Sequence, residues 1–107
     1  MTEIATAEFD LSYTAAKMRV RVFAPKSNEE LGLWSCRFEI EDPIGLEREI
    51  HGVSSLQAVV LAMKTLSAYL YGSDLYKRGE LGIYGKFGGS LSIPAPKEFL
   101  DAAPFPF

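Results

Sequence analysis

Three runs of residues predict an α+β fold: an antiparallel sheet of four to six strands with one long helix, about 54–71, packed on one face. Residues 17–23 (KMRVRVF) alternate strictly, with Met18, Val20 and Val22 on one side and Lys17, Arg19 and Arg21 on the other. Residues 33–40 (LWSCRFEI) repeat the pattern, placing Trp34, Cys36, Phe38 and Ile40 on the core face and Ser35, Arg37 and Glu39 in water. Residues 54–71 then change period from two to that of a helix. At 107 residues the chain reads as a single domain, 1–107. It should bury roughly two-thirds of its unfolded surface.

The elements follow in order. Residues 3–11 form the first strand, although Ala5, Ala7, Phe9 and Leu11 are moderate strand formers. After 17–23 and 33–40, Asp42-Pro43-Ile44-Gly45 has the composition of a type I turn, and Leu46–Ile50 returns as the partner strand. Ser54 with Gln57 makes a capping box, and Leu56, Val59, Val60, Met63, Leu66 and Leu70 follow as the buried stripe. Gly72 ends the helix, which at 1.5 Å per residue would run about 27 Å. The opposite face (Ala58, Leu61, Thr65, Ala68) is less polar than a solvated face. That predicts cover by the C-terminal segment or, second, a homodimer. Beyond a polar loop, residues 81–85 and 90–93 read as two short strands around Lys86-Phe87-Gly88-Gly89. A helical turn at 97–102 precedes Pro-Phe-Pro-Phe.

Composition excludes several classes. The apolar fraction of 48% rules out disorder, and a single Cys36 rules out a disulfide scaffold. Acids near the N-terminus, with no long apolar run, predict a cytoplasmic protein without a membrane span. Eleven Lys and Arg stand against fourteen Asp and Glu, which argues against nucleic acid as a partner. Seven of those acids fall in residues 29–49, beside only Arg37 and Arg48.

The Trp34-x-Cys36-x-Phe38-x-Ile40 strand followed by Gly52-Val53-Ser54-Ser55-Leu56-Gln57-Ala58 resembles a family of small bacterial domains of unknown function. In that family a W-x-C-x-[aromatic]-x-I strand precedes a G-x-D-S-x-Q-A helix start. The likeness covers residues 33–70, and Ser54 stands where the pattern has Asp, which preserves the cap but not any carboxylate chemistry. The resemblance transfers no established activity; some such domains look like the neutralisers of bacterial toxins.

Chemistry is sparse. His51 would serve as a general base beside Ser54 or Ser55, oriented by Glu49, but nothing in the spacing enforces that geometry. Cys36 on an apolar face reads as a structural thiol, and a Cys36–His51 dyad across the hairpin is the reactive alternative. One Cys and one His make no zinc cluster, and Arg37 and Arg48 among the acids favour ion pairing over a cation site. No cofactor is expected. Gly85-Lys86-Phe87-Gly88-Gly89-Ser90 lacks the order of a phosphate loop and reads as a hairpin turn. The preferred function is therefore a non-enzymatic, toxin-neutralising or immunity-like module that binds another, basic protein. Its candidate contacts are Glu39, Glu41, Asp42, Glu47 and Glu49 with Tyr71, Tyr76, Phe105 and Phe107. The alternatives are a small-ligand pocket between helix and sheet, lined by Trp34, Phe38 and tyrosines, and, behind it, an enzyme using His51.

Overall fold

A computed structural model describes residues 1–101, with side chains described through residue 98. The chain is α+β. Its sheet has seven strands: β1 (Glu3–Leu11), β2 (Thr14–Phe23), β3 (Lys26–Asn28), β4 (Leu33–Ile40), β5 (Leu46–Gly52), β6 (Leu81–Ile83) and β7 (Lys86–Phe87). The helices are α1 (Ser55–Tyr71), α2 (Asp74–Lys77) and α3 (Pro96–Asp101). Two compact units are distinguished, one of residues 1–8 and 18–63, the other of residues 9–17 and the chain from Lys64 onward.

In the first unit β4 is the organising strand. One of its edges pairs with β5 along its length, from Trp34↔Gly52 to Ile40↔Leu46. Its other edge is shared: β2 pairs at Val22↔Phe38 to Val20↔Ile40, and β3 at Lys26↔Ser35 to Asn28↔Leu33. Between those pairings β2 and β3 hold one more residue than β4, so they form a single edge broken by a bulge at Ala24-Pro25. Proline has no N–H to give the ladder, which is why the break falls there. β3 is too short to show periodicity, so this strand and the two-residue β7 raise the count above the expected four to six.

The alternation of β2 and β4 builds the core as expected: Met18, Val20, Val22, Cys36, Phe38 and Ile40 are all buried. Two positions on β4 depart from the pattern. Trp34 is half-buried and Ser35 is 2% exposed, at the end of the strand that pairs with β3. The Asp42–Ile44 turn is not type I. The Asp42–Pro43 peptide is cis, and the Gly45 N–H donates to Glu41 O at 3.0 Å, closing five residues with Gly45 at φ +62°.

The capping box forms, with Ser54 Oγ accepting from the Gln57 N–H (3.0 Å). Gln57 Oε1 reaches one residue further back, to the Val53 N–H (2.7 Å). The helix is rotated from the expected stripe, however. Ala58 and Ala62 are fully buried while Leu56 is 73% exposed and Val60 sits at the solvent boundary. Close approach decides this. A Cβ on Gly52 would lie 2.6 Å from Ala58 N, so β5 ends against the backbone of the first turn of α1 and only glycine fits at 52. Hydrophobicity alone favoured Leu56; this contact turns the Ala58 side of the helix inward.

In the second unit Phe9, Leu11, Leu66, Leu70, Leu75, Leu81 and Leu91 form the core. The segment after β7 crosses the later turns of α1, where Ser67 Oγ donates to Pro94 O (2.5 Å) and Tyr71 OH to Ile93 O (2.8 Å). The cover falls on the Ser67–Tyr71 side of the helix rather than on the expected Ala58, Leu61, Thr65 and Ala68 face, where Ala68 is exposed and Ala58 is buried. The loop expected at Ser73–Glu80 contains α2, whose N-cap Ser73 accepts from Tyr76 N. The final hairpin is shifted. Its two-residue turn is Tyr84-Gly85, both left-handed (φ 50° and 72°) as a type I′ turn requires, and residues 90–93 form no strand. Asp10 explains the shift: its carboxylate accepts the Gly85 N–H (2.8 Å) and pairs with Lys17, fixing the turn to β1.

Gly52→Ala should cost about 1–3 kcal/mol in urea unfolding by forcing β5 from α1, whereas Leu56→Ser should change stability by less than about 0.5 kcal/mol. Asp10 should give an acid limb to stability. The Lys17 hydrogen bond, then the Gly85 N–H, hold its carboxyl below the ordinary 3.8. A folded-state pKa lowered in this way stabilises above the unfolded value and loses that stabilisation as pH falls through the folded one. Asp10→Asn should therefore be less stable than the parent at neutral pH, with the difference in denaturation curves beginning to shrink near the ordinary 3.8 and closing only as pH falls through the lowered folded-state value.

Candidate functional site: the polar face of the β4–β5 hairpin

Residues of one parity on β2, β4 and β5 point away from the core, which brings Arg19 and Arg21, Arg37 and Glu39, and Glu47, Glu49 and His51 onto one face. Glu39 and Glu47 are direct cross-strand partners, Glu49 faces Arg37, and Arg21 faces Glu39. The acids of the hairpin thus converge in space.

Like charges directly opposite each other destabilise a sheet, so this row needs counter-charge. Arg37 supplies it: its Nη2 reaches Glu39 Oε1 (2.5 Å) and pairs with Glu47, while its guanidinium lies 5.8 Å from the centroid of the Phe23 ring. Arg21 extends the network to Glu3 (3.4 Å), Glu41 (3.6 Å) and Glu39 (3.9 Å). Arg19 pairs with Glu8 (3.3 Å), and its N–H donates to Glu41 Oε1 (3.1 Å). Five carboxylates therefore share three guanidiniums. Glu49 adds a sixth, with no ion pair among the described residues. Residues 39–42 and 45–48 also line an open depression of about 910 Å³ at the hairpin tip.

The remaining candidates do not belong to β4 or β5. Asp42 belongs to the turn, folded over Gly45 so that a Cβ there would lie 2.5 Å from Asp42 Oδ1. Tyr71 and Tyr76 make an edge-to-face pair (5.0 Å, 74°) in the second unit, and their hydroxyls hold the loop after β7. Tyr71 OH accepts from Leu91 N (2.9 Å), and Tyr76 OH donates to Gly89 O (3.0 Å). Phe105 and Phe107 lie outside the described residues.

The reactive groups are dispersed. Cys36 is fully buried on the opposite face of the sheet from His51; its Sγ donates to Phe23 O (3.3 Å), and burial pushes the thiol pKa up. No Cys36–His51 dyad forms. Ser54 Oγ is engaged at the helix cap, and His51 is exposed. Among the described residues no three His, Cys, Asp or Glu side chains are placed to hold a metal ion, and no helix is long and apolar enough to cross a membrane. The acids were visible in the sequence; the network built by Arg19, Arg21 and Phe23 was not. Its signal was the basic outer face of residues 17–23, which had no assigned neighbour until β2 paired with β4.

Residues 5–95 match the family described as a domain of unknown function, DUF6968, and the chain belongs to that family. A Saccharomyces cerevisiae protein described as the uncharacterized protein YDR015C is 46% identical over 41 residues, 38% of this chain and 52% of the yeast protein. The chain thus aligns with about half the length of that relative. A bacterial setting gains no support from these matches. No solved structure matches.

Arg37→Ala should destabilise the protein by about 0.5–1 kcal/mol at low salt, leaving Glu39 and Glu47 opposed. Added salt should recover part of the loss by screening. Arg37→Lys should recover part of it in thermal melts: both carboxylates meet the single Nη2, which an ammonium can replace, while the planar contact with the Phe23 ring is lost.

Proposed function

We propose that this DUF6968 member is a non-enzymatic protein-binding module whose acidic hairpin face engages a basic partner protein, in the manner of a small toxin-neutralising protein. The observation carrying this reading is the convergence of Glu39, Glu41, Glu47 and Glu49 on one face with fewer guanidiniums than carboxylates. Such a face steers a basic surface and speeds its encounter in a salt-dependent way. The ion-pair network gives the face rigidity, so little side-chain entropy is lost when a partner lands on it. The buried thiol, the exposed lone imidazole and the capped Ser54 favour binding over catalysis. Phe105 and Phe107, with the tyrosines, are the aromatic complement of the proposal, and a second copy of the chain is its competing partner.

The test is affinity capture from a native extract at low and moderate salt, with Glu47→Lys/Glu49→Lys as the control. A basic protein held by the parent at low salt, released at moderate salt and absent from the doubly substituted bait is expected. Recovery by both baits alike, or of no protein but the chain itself, would overturn the reading.

A further inference from the structure

We infer that the outer edge of β5 takes an extended, basic segment of a partner protein as an added antiparallel strand; this rests on the acidic-face reading above and specifies how the partner is held. β5 pairs only with β4, so among the described residues its other edge is open. Which of its backbone groups point outward follows from the ladder. The Glu41 N–H donates to Arg19 O (3.0 Å), so odd-numbered residues of β4 bond towards β2 and even-numbered ones towards β5. In the β4–β5 register the even-numbered partners are Leu46, Arg48, Ile50 and Gly52. Glu47, Glu49 and His51 therefore direct both N–H and C=O away from β4. One contact agrees: the Arg48 guanidinium donates to Glu47 O at 2.8 Å, which marks that carbonyl as outward.

The same three residues carry their side chains on the acidic face. A strand bonded to Glu47, Glu49 and His51 sets its own bonded residues directly opposite them, on that face. Lysine or arginine at every second position would meet Glu47 and Glu49, the latter with no ion pair among the described residues. The intervening residues would lie beside Ile50 and Arg48. A second copy of β5 fits poorly. Centred on Glu49, an antiparallel pair sets Glu49 against Glu49; centred on Arg48, it sets Arg48 against Arg48 and Glu47 against Glu49 twice. Charge thus opposes self-pairing in those two registers while favouring a basic strand in either.

The probe is a short synthetic peptide with lysine at every second position and valine or threonine between, compared with the same peptide N-methylated at its lysine amides. Binding is read by fluorescence anisotropy at low salt and by amide resonances of residues 46–52. The parent peptide should bind and shift the amides of Glu47, Glu49 and His51, and methylation should weaken it about ten-fold by removing hydrogen bonds to the edge. Glu49→Pro, which deletes an outward N–H without taking a bond from β4, should weaken binding by a similar factor, and Glu49→Gln by only about two- to five-fold. Should Glu49→Pro fail to fold, the methylated peptide decides on the unaltered protein. Equal binding of both peptides would overturn strand addition and leave the acidic face as the contact. Failure of every lysine peptide to bind would overturn both readings.

Discussion

The parity of β4 is the constraint on which the rest depends. Side chains on a strand alternate, and a one-residue slip would exchange the core face with the polar face. Phe38 and Cys36 are fully buried, so such a slip would drive Arg37 and Glu39 into the core, at a cost far above the margin by which domains are stable. Hydrophobic burial on one face therefore fixes an electrostatic pattern on the other. Because both edges of β4 are paired, the same parity determines which backbone groups of β2 turn towards β1 and which of β5 face outward. Core, acid row and open edge follow from one register.

Arg37 shows how such a face can be concentrated in charge and still fold. Glu39 and Glu47 are opposite members of a pair that exchanges no backbone hydrogen bonds, the closer kind, with Cα atoms about 4.5 Å apart. A planar guanidinium can bridge two carboxylates at that spacing, and the Phe23 ring beside it keeps the bridge in place. The face is consequently an ordered lattice of charge with its excess at Glu49.

Much of the architecture was legible where a single period ran unbroken. Residues 17–23 and 33–40 alternate over whole strands; both strands form, and 33–40 pairs with the returning strand after the turn as the pattern implies. The helix cap at Ser54 was legible because its chemistry is local. Legibility ended where tertiary distance took over. Leu56 outranks Ala58 on any hydrophobic scale, but Gly52 brings β5 against the backbone at Ala58, and that side of the helix is the buried one. The final hairpin turns at Tyr84-Gly85 because Asp10, far away in the chain, holds the Gly85 N–H. A tyrosine in a left-handed turn position is not something its own neighbours announce. At the candidate site the acids could be counted from the sequence, while their convergence needed the register and their neutralisation needed β2.

The contact of Gly52 with Ala58 has a further consequence, for how chains of this design can vary in length. Only Val53 and Ser54 separate the last pair of β5 from the first turn of α1, and Ser54 is already committed to the cap. A residue inserted there would have to undo either the Trp34–Gly52 pairing or the seat of Ala58. The turns at residues 29–32 and 42–44 join strand to strand and seat no helix. Insertions and deletions in the lineage of this chain would therefore gather at the hairpin tips, beside the acid row, while the strand-to-helix corner keeps its length.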